Sequence, residues 1–171
     1  MQTQEANVRK MKVIKDFVVQ FGASITLDKS LVVKKRNRYF LFNKKLKKQI
    51  QQNFYYAGLY LGKLRGSRFF PSFPLLTMMA NGRANKTVVD KKTGWLFICG
   101  RDIFKKGVLQ LKGRERKGEY TLILNEHNEC LGFGKILANI RKEKDATKVV
   151  VKNILDIGDF LRREKRWFPQ R

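Results

Sequence analysis

Hydrophobic positions follow a helical period at the start of the chain and break into short β-type runs further on. Val8, Met11, Ile14, Phe17, Val18 and Phe21 recur at helical spacings, and Arg9, Lys10, Lys12 and Lys15 occupy much of the rest. This predicts an amphipathic helix over Asn7–Phe21, with Gly22 at its C-cap and the polar stretch Met1–Glu5 fraying. Leu31–Val33 and Tyr39–Phe42 flank the turn Lys34–Arg38 and read as a hairpin. Asn43 then caps a helix in which Leu46, Ile50 and Phe54 recur every four residues. Tyr55–Leu64 reads as an aromatic strand and Arg65–Pro74 as a loop. Ser72 opens a further helix with Leu75, Leu76, Met78 and Met79 on its core face, ended by Asn81-Gly82.

From about Asn85 the pattern becomes β-rich. Thr87–Val89, Gly94–Cys99, Tyr120–Leu124, Cys130–Leu137 and Lys148–Val151 are short strand candidates. Turn signals at Lys91–Gly94, Lys112-Gly113 and Glu126–Glu129 separate them. One short helix is expected at Asp102–Lys106 and a last one over Asp156–Arg163, acidic at its start and basic at its end, as suits the helix dipole. The reading is α+β: an N-terminal domain of helices, a hairpin and a strand over residues 1–84, then a small barrel-like β domain over residues 85–171.

Charge narrows the partner. Among 171 residues, 38 Lys and Arg stand against 14 acids, a formal net charge of +24. Such an excess repels itself in the folded state and favours a polyanion, because each neutralised phosphate releases counterions. Both parts share it: residues 1–84 hold 17 Lys and Arg against 3 acids, and residues 85–171 hold 21 against 11. No apolar run reaches the roughly 18 residues a membrane span requires. No charged-then-apolar leader opens the chain, so a secretory signal is not expected.

Catalytic chemistry finds little to work with. Glu5, Asp16 and Asp28 are the acids of the first part, and the sole histidine, His127, falls in a polar turn. Cys99 and Cys130 sit in apolar stretches and read as buried free thiols; with one His they make no metal-ligand pattern. Gly58–Gly62 and Gly132–Gly134 lack the remaining features of a nucleotide loop. No cofactor, metal or small-molecule substrate is expected. RNA suits the chain better than duplex DNA, because basic residues interleave with aromatics and no recognition-helix pair is present. Phe54, Tyr55, Tyr56, Tyr60, Phe69, Phe70 and Phe73 form a dense aromatic group. Most of them read as core, with Phe69 and Phe70, beside Arg65 and Arg68, as the exposed exceptions.

The second half resembles a PUA domain, the small β-barrel-like RNA-binding module named for pseudouridine synthases and archaeosine transglycosylases. The resemblance rests on Gly94–Gly100, Asp102–Gly107, Lys117–Leu124 and Cys130–Lys135. The whole chain resembles the Nip-seven (nuclear import protein seven) family of large-subunit ribosome assembly factors, found in eukaryotes and archaea. Leu131-Gly132-Phe133-Gly134, Asp156–Glu164 and Leu61-Gly62-Lys63 carry that likeness. It implies an N-terminal α/β domain with an antiparallel sheet and helices, followed by PUA, no enzymatic activity, a role in pre-ribosomal RNA processing and RNA contact through the C-terminal domain. The basic character points to the archaeal type and the cytoplasm; a eukaryotic member would be nucleolar.

The primary RNA-binding candidates are therefore Arg141, Lys142, Lys144, Lys148, Lys152, Arg162, Arg163, Lys165 and Arg166. Lys148 and Lys152 are expected on one side of a strand, and barrel closure is expected to gather the set into one patch. Lys35, Arg36, Arg38, Arg65, Arg68 and Phe69 are secondary candidates for RNA or partner contact. The expected partners are looped or single-stranded rRNA or pre-rRNA, the pre-ribosomal particle and other assembly factors, met by a monomer. An RNA-modifying enzyme carrying a PUA module and a basic ribosomal protein stay open as alternatives. Replacing Arg162, Arg163 and Arg166 by Ala is expected to weaken RNA binding and flatten its salt dependence by about one unit per lost phosphate contact.

Overall fold

The computed structural model describes residues 2–50, 54–114, 116–159 and 162, with side chains from Met11 onward. The chain divides into two compact units, Met1–Gly82 and Arg83–Arg171.

The first unit opens with α1 (Gln2–Val19), so the polar residues Gln2–Glu5, expected to fray, are helical. Gly22 leaves the helix in the left-handed conformation at φ 59°, where a side chain is costly. A sheet follows: β1 (Val32–Lys35), β2 (Arg38–Leu41), β3 (Leu59–Arg65) and β4 (Arg68–Pro71), in the order β1-β2-β3-β4 with every pair antiparallel. The β1–β2 turn is two residues, Arg36-Asn37, tighter than the five-residue turn expected, so Lys34, Lys35 and Arg38 lie within strands. One face is core. Val32, Tyr39, Leu61 and Phe69 are buried there, and the Phe69 ring meets those of Phe17 on α1 and Tyr39 on β2.

Several local expectations change. Asn43 caps α2 (Lys44–Gln49) by accepting from the Leu46 N–H at 2.7 Å, but the helix ends at Gln49 and buries nothing. Leu46, Ile50 and Phe54 therefore form no core stripe, and Ile50 is already extended. Strand β3 begins at Leu59, leaving Tyr55 and Tyr56 exposed ahead of it. Phe69 is in a strand and 9% exposed, so it is a core residue and not a surface contact. Ser72 caps α3 (Phe73–Asn81) through the Leu75 N–H, and Leu75, Leu76, Met79 and Ala80 are its buried positions.

The second unit contains β5 (Lys86–Val89), α4 (Lys91–Ile98), β6 (Ile103–Phe104), β7 (Val108–Lys112), β8 (Tyr120–Leu124), β9 (Cys130–Ile136) and β10 (Val149–Asp156). Gly94–Cys99, expected as a strand, is helical because Asp90 caps the Thr93 N–H at 2.7 Å and Gly94 and Phe97 share a buried side. Asp102–Lys106, expected as a helix, is β6 and the start of a single 3-10 turn, Lys105–Gly107. Strand β7 went unpredicted. Asp156 ends β10, so the predicted final helix does not begin there; Ile157 and Gly158 form a turn, Asp159 and Arg162 are helical, and Arg163 lies outside the described residues.

The strand order is β6-β10-β9-β8-β5-β7, with β5 and β8 parallel and the other pairs antiparallel. Its two edge strands, β6 and β7, are joined by only three residues. A flat six-stranded sheet would hold its edges about 24 Å apart, at roughly 4.8 Å per strand. Three linking residues reach about 14 Å at most. The sheet must curl towards closure, which gives the barrel-like shape. Val89, Phe97, Ile103, Ile123, Ile136, Ile140, Val150 and Val151 fill its inside. Buried Thr87 and Thr121 bridge the parallel pair, hydroxyl to hydroxyl, at 2.9 Å.

The glycines of Leu131-Gly132-Phe133-Gly134 have a steric reason. A Cβ on Gly132, which sits at φ 147°, would run into the Leu155 carbonyl oxygen, and one on Gly134 would strike Val151 and the Lys152 carbonyl. Both permit the close crossing of β9 and β10. Cys130 and Cys99 are free thiols; Cys99, at the end of α4, is exposed, against expectation, while burial pushes the Cys130 thiol up to about 11. Gly132→Ala should lower unfolding stability by about 2–4 kcal/mol, read by denaturant titration.

Candidate nucleic-acid interface

In the second unit, two loops meet beside the barrel. The β7–β8 loop is held from below by Asn85, 2% exposed, whose Oδ1 accepts the Arg114 N–H at 2.8 Å and whose amide donates to Glu119 and the Tyr120 carbonyl. The Gly118 N–H donates to the Ile136 carbonyl at 2.8 Å, tying this loop to the end of β9. There Asn139 organises a turn: its side chain accepts from the Lys142 N–H and its carbonyl from the Glu143 N–H. Between the loops lies an open groove of about 500 Å³ lined by Gly113, Arg116, Lys117, Asn139, Arg141 and Lys142. Two described carboxylates nearby have partners of their own. Glu119 accepts from Asn85, and Glu143 binds Lys148 at 2.6 Å. That contact holds the Glu143 carboxyl below its ordinary range and the Lys148 ammonium above its own.

The predicted set is thus only partly gathered. Arg141 and Lys142 line the groove; Lys144 is exposed on the following loop; Lys148 is occupied by Glu143. Lys148 and Lys152 were expected on one side by strict alternation. A register shift between Val149 and Val151 interrupts that alternation, and consecutive Val150 and Val151 are both buried. Lys152 instead stands directly opposite Lys135 on β9, both exposed. A second like-charged pair, Lys86 opposite Lys112, joins β5 to β7, and burial followed by the Lys112 charge lowers the Lys86 ammonium. Like charges so placed repel.

Arg162 has a different task. Its guanidinium donates to Asp156 Oδ2 at 2.6 Å and to the Ile98 carbonyl at the end of α4. Asp156 is 2% exposed, and its Oδ2 also accepts from Asn153, which in turn donates to the Phe97 carbonyl. Gly158 lies so close to the Ile98 carbonyl that a Cβ would collide with it. The Asp156-Ile157-Gly158 run is therefore a clasp joining β10 to α4, and Arg162 closes it. Arg163, Lys165 and Arg166 lie outside the described residues. Arg116, Lys117 and Lys135 were missed; the Lys and Arg density between Gly113 and Gly118 was the available signal for the first two. Among the described residues no three His, Cys, Asp or Glu side chains cluster as metal ligands, and no helix is long and apolar enough to cross a membrane.

In the first unit, three of the secondary candidates, Lys35, Arg36 and Arg38, converge. A groove of about 330 Å³ is lined by Lys35, Arg36, Arg38, Phe40, Phe54 and Tyr55. Arg65 and Arg68 both lie over the Phe70 ring, at 5.8 and 5.5 Å.

This architecture has counterparts. Residues 85–165 match the family model described as the UPF0113 PUA domain. The C-terminal part carries a PUA domain, a module whose class points to RNA binding. A UPF0113 protein of Archaeoglobus fulgidus is 27% identical over 98% of both chains. Two solved structures share the fold along the chain: a conserved PUA domain protein from Thermoplasma acidophilum (TM-score 0.61, 19% identity, covering 91% of this chain and 94% of that one) and a hypothetical protein from Pyrococcus horikoshii (TM-score 0.59, 15% identity, 92% and 95%).

Arg162→Ala should leave the buried Asp156 carboxylate short of its cation and cost about 1–3 kcal/mol of stability. Thermal unfolding reports that loss, while the salt slope of RNA binding should stay within about half a unit of the parent's.

Proposed function

We propose that this protein is a non-catalytic RNA-binding factor of large-ribosomal-subunit assembly, an archaeal-type member acting in the cytoplasm as a monomer on pre-ribosomal RNA. The observation that carries the RNA reading is the groove where Arg116, Lys117, Arg141 and Lys142 converge from two loops pinned by Asn85 and Asn139. The groove is open, cationic and beside a PUA barrel. That arrangement suits a looped or single-stranded backbone, because side chains do not reach into the deep groove of an A-form helix. Phosphate contacts here position the RNA and base contacts specify it. The assembly role is supported by the resemblance to the Nip-seven family, by the similarity to archaeal PUA proteins over the chain and by the net charge of +24.

The combined variant Arg116→Ala, Lys117→Ala, Arg141→Ala and Lys142→Ala should fold normally, weaken single-stranded RNA binding and reduce the salt slope by about three to four units. In sedimentation profiles the parent protein should accompany precursor large-subunit particles and be absent from mature ones. An unaltered slope would defeat the groove assignment, and stoichiometric presence in mature subunits would defeat the assembly role.

A further inference from the structure

The N-terminal sheet has one face packed on the helices and a second face of different character. Directly opposed residues of antiparallel strands share a face. The register places Lys35 opposite Arg38, Arg38 opposite Lys63 and Lys63 opposite Phe70, one row across all four strands. Two residues further along β3 and β4, Arg65 stands opposite Arg68 on the same face. Both hairpin turns, Arg36-Asn37 and Gly66-Ser67, lie at this end of the sheet because the strands run as an antiparallel meander. From Asp28 to Asp90 the chain contains no acidic residue between them, so no strand of this sheet supplies a carboxylate to the row.

Aromatic rings accompany the cations. Phe40 is fully buried as the floor, with Phe54, Tyr56 and Tyr60 around it at ring distances of 5.4–5.6 Å. Above that floor Tyr55 is 78% exposed and Tyr56 60%. The Arg38 guanidinium lies over the Tyr55 ring at 5.3 Å and the Lys35 ammonium over Phe54 at 4.4 Å.

We propose that this face is a second nucleic-acid site, which holds single-stranded RNA with bases stacked on Tyr55 and Phe70 and phosphates on the row from Lys35 to Arg68. A polyanion relieves the repulsion of cations that the register fixes opposite one another. The exposed Tyr55 ring and the half-buried Phe70 ring supply flat surfaces for bases, which are available for stacking only when the strand is unpaired. An open four-stranded sheet with rings and cations on its free face accommodates on the order of two or three nucleotides. An acidic protein would satisfy the cations and leave the rings without a matching partner. The site uses residues wholly within the first unit and is independent of the groove assigned above.

The test is photo-crosslinking of the full-length chain to an oligouridine carrying 4-thiouridine, with peptides mapped. Crosslinks should fall on the peptides containing Tyr55 and Phe70 as well as on the second unit. The triple variant Arg38→Ala, Tyr55→Ala and Arg68→Ala alters exposed side chains and removes opposed cations, so its melting temperature should be no lower than the parent's. It should lose the first-unit crosslinks, bind the oligonucleotide at least tenfold more weakly and show a salt slope lower by about two units. Tyr55→Phe should retain the crosslink. The groove variant should keep the Tyr55 crosslink, which separates failure of this site from failure of the groove. Crosslinks confined to the second unit, or equal weakening of duplex and single-stranded RNA, would overturn the proposal.

Discussion

Positive charges stand directly opposite one another across neighbouring strands in both units of this protein, and the fold holds them there. Lys35, Arg38 and Lys63 face each other on the first sheet, as do Arg65 and Arg68; Lys135 faces Lys152 and Lys86 faces Lys112 on the second. Each opposition costs up to about 1 kcal/mol. The register is set elsewhere, by buried faces that a one-residue slip would expose to water. Tyr39, Leu61 and Phe69 fix it in the first unit, and Ile123, Ile136 and Val151 in the second. The cations cannot slide apart, and a polyanion would offset their repulsion.

The second unit places some of its cations in structural contacts and others along an open groove. Arg162 is drawn inward by a carboxylate that is itself buried and by a helix-end carbonyl, so its charge closes the clasp between β10 and α4. Lys148 is held by Glu143 at the surface. Arg116, Lys117, Arg141 and Lys142 line an open groove whose loops are anchored by Asn side chains. The glycines at 132, 134 and 158 serve the same frame by letting backbones approach where a methyl group would collide. The Asp-Ile-Gly run near the end of β10 thus marks architecture, and the arginine that follows it belongs to that architecture.

Much of this was legible beforehand. The helical spacing from Met11 to Phe21, the Asn43 and Ser72 caps and the strand Tyr120–Leu124 follow from periodicity and capping chemistry, which are local. What the sequence hid depended on distant partners. Gly94–Cys99 has the composition of a strand, yet an Asp90 cap and the packing of Phe97 make it a helix. Phe69 carries the same signal as Phe70, and only the β3–β4 register reveals that one ring enters the core while the other meets arginines. The convergence of Arg116 and Arg141 on one groove and the bond from Arg162 to the Ile98 carbonyl bring together residues far apart in the chain, which no spacing rule reaches.

If fixed, opposed cations await a single-stranded polyanion, thermal unfolding of the whole chain reads it out. At low ionic strength the melting temperature should rise on adding either salt or single-stranded RNA, because salt screens the repulsion and RNA binds the folded state. The RNA gain should fade as salt increases. A melting temperature indifferent to RNA at low salt, and falling as salt is added, would contradict the account.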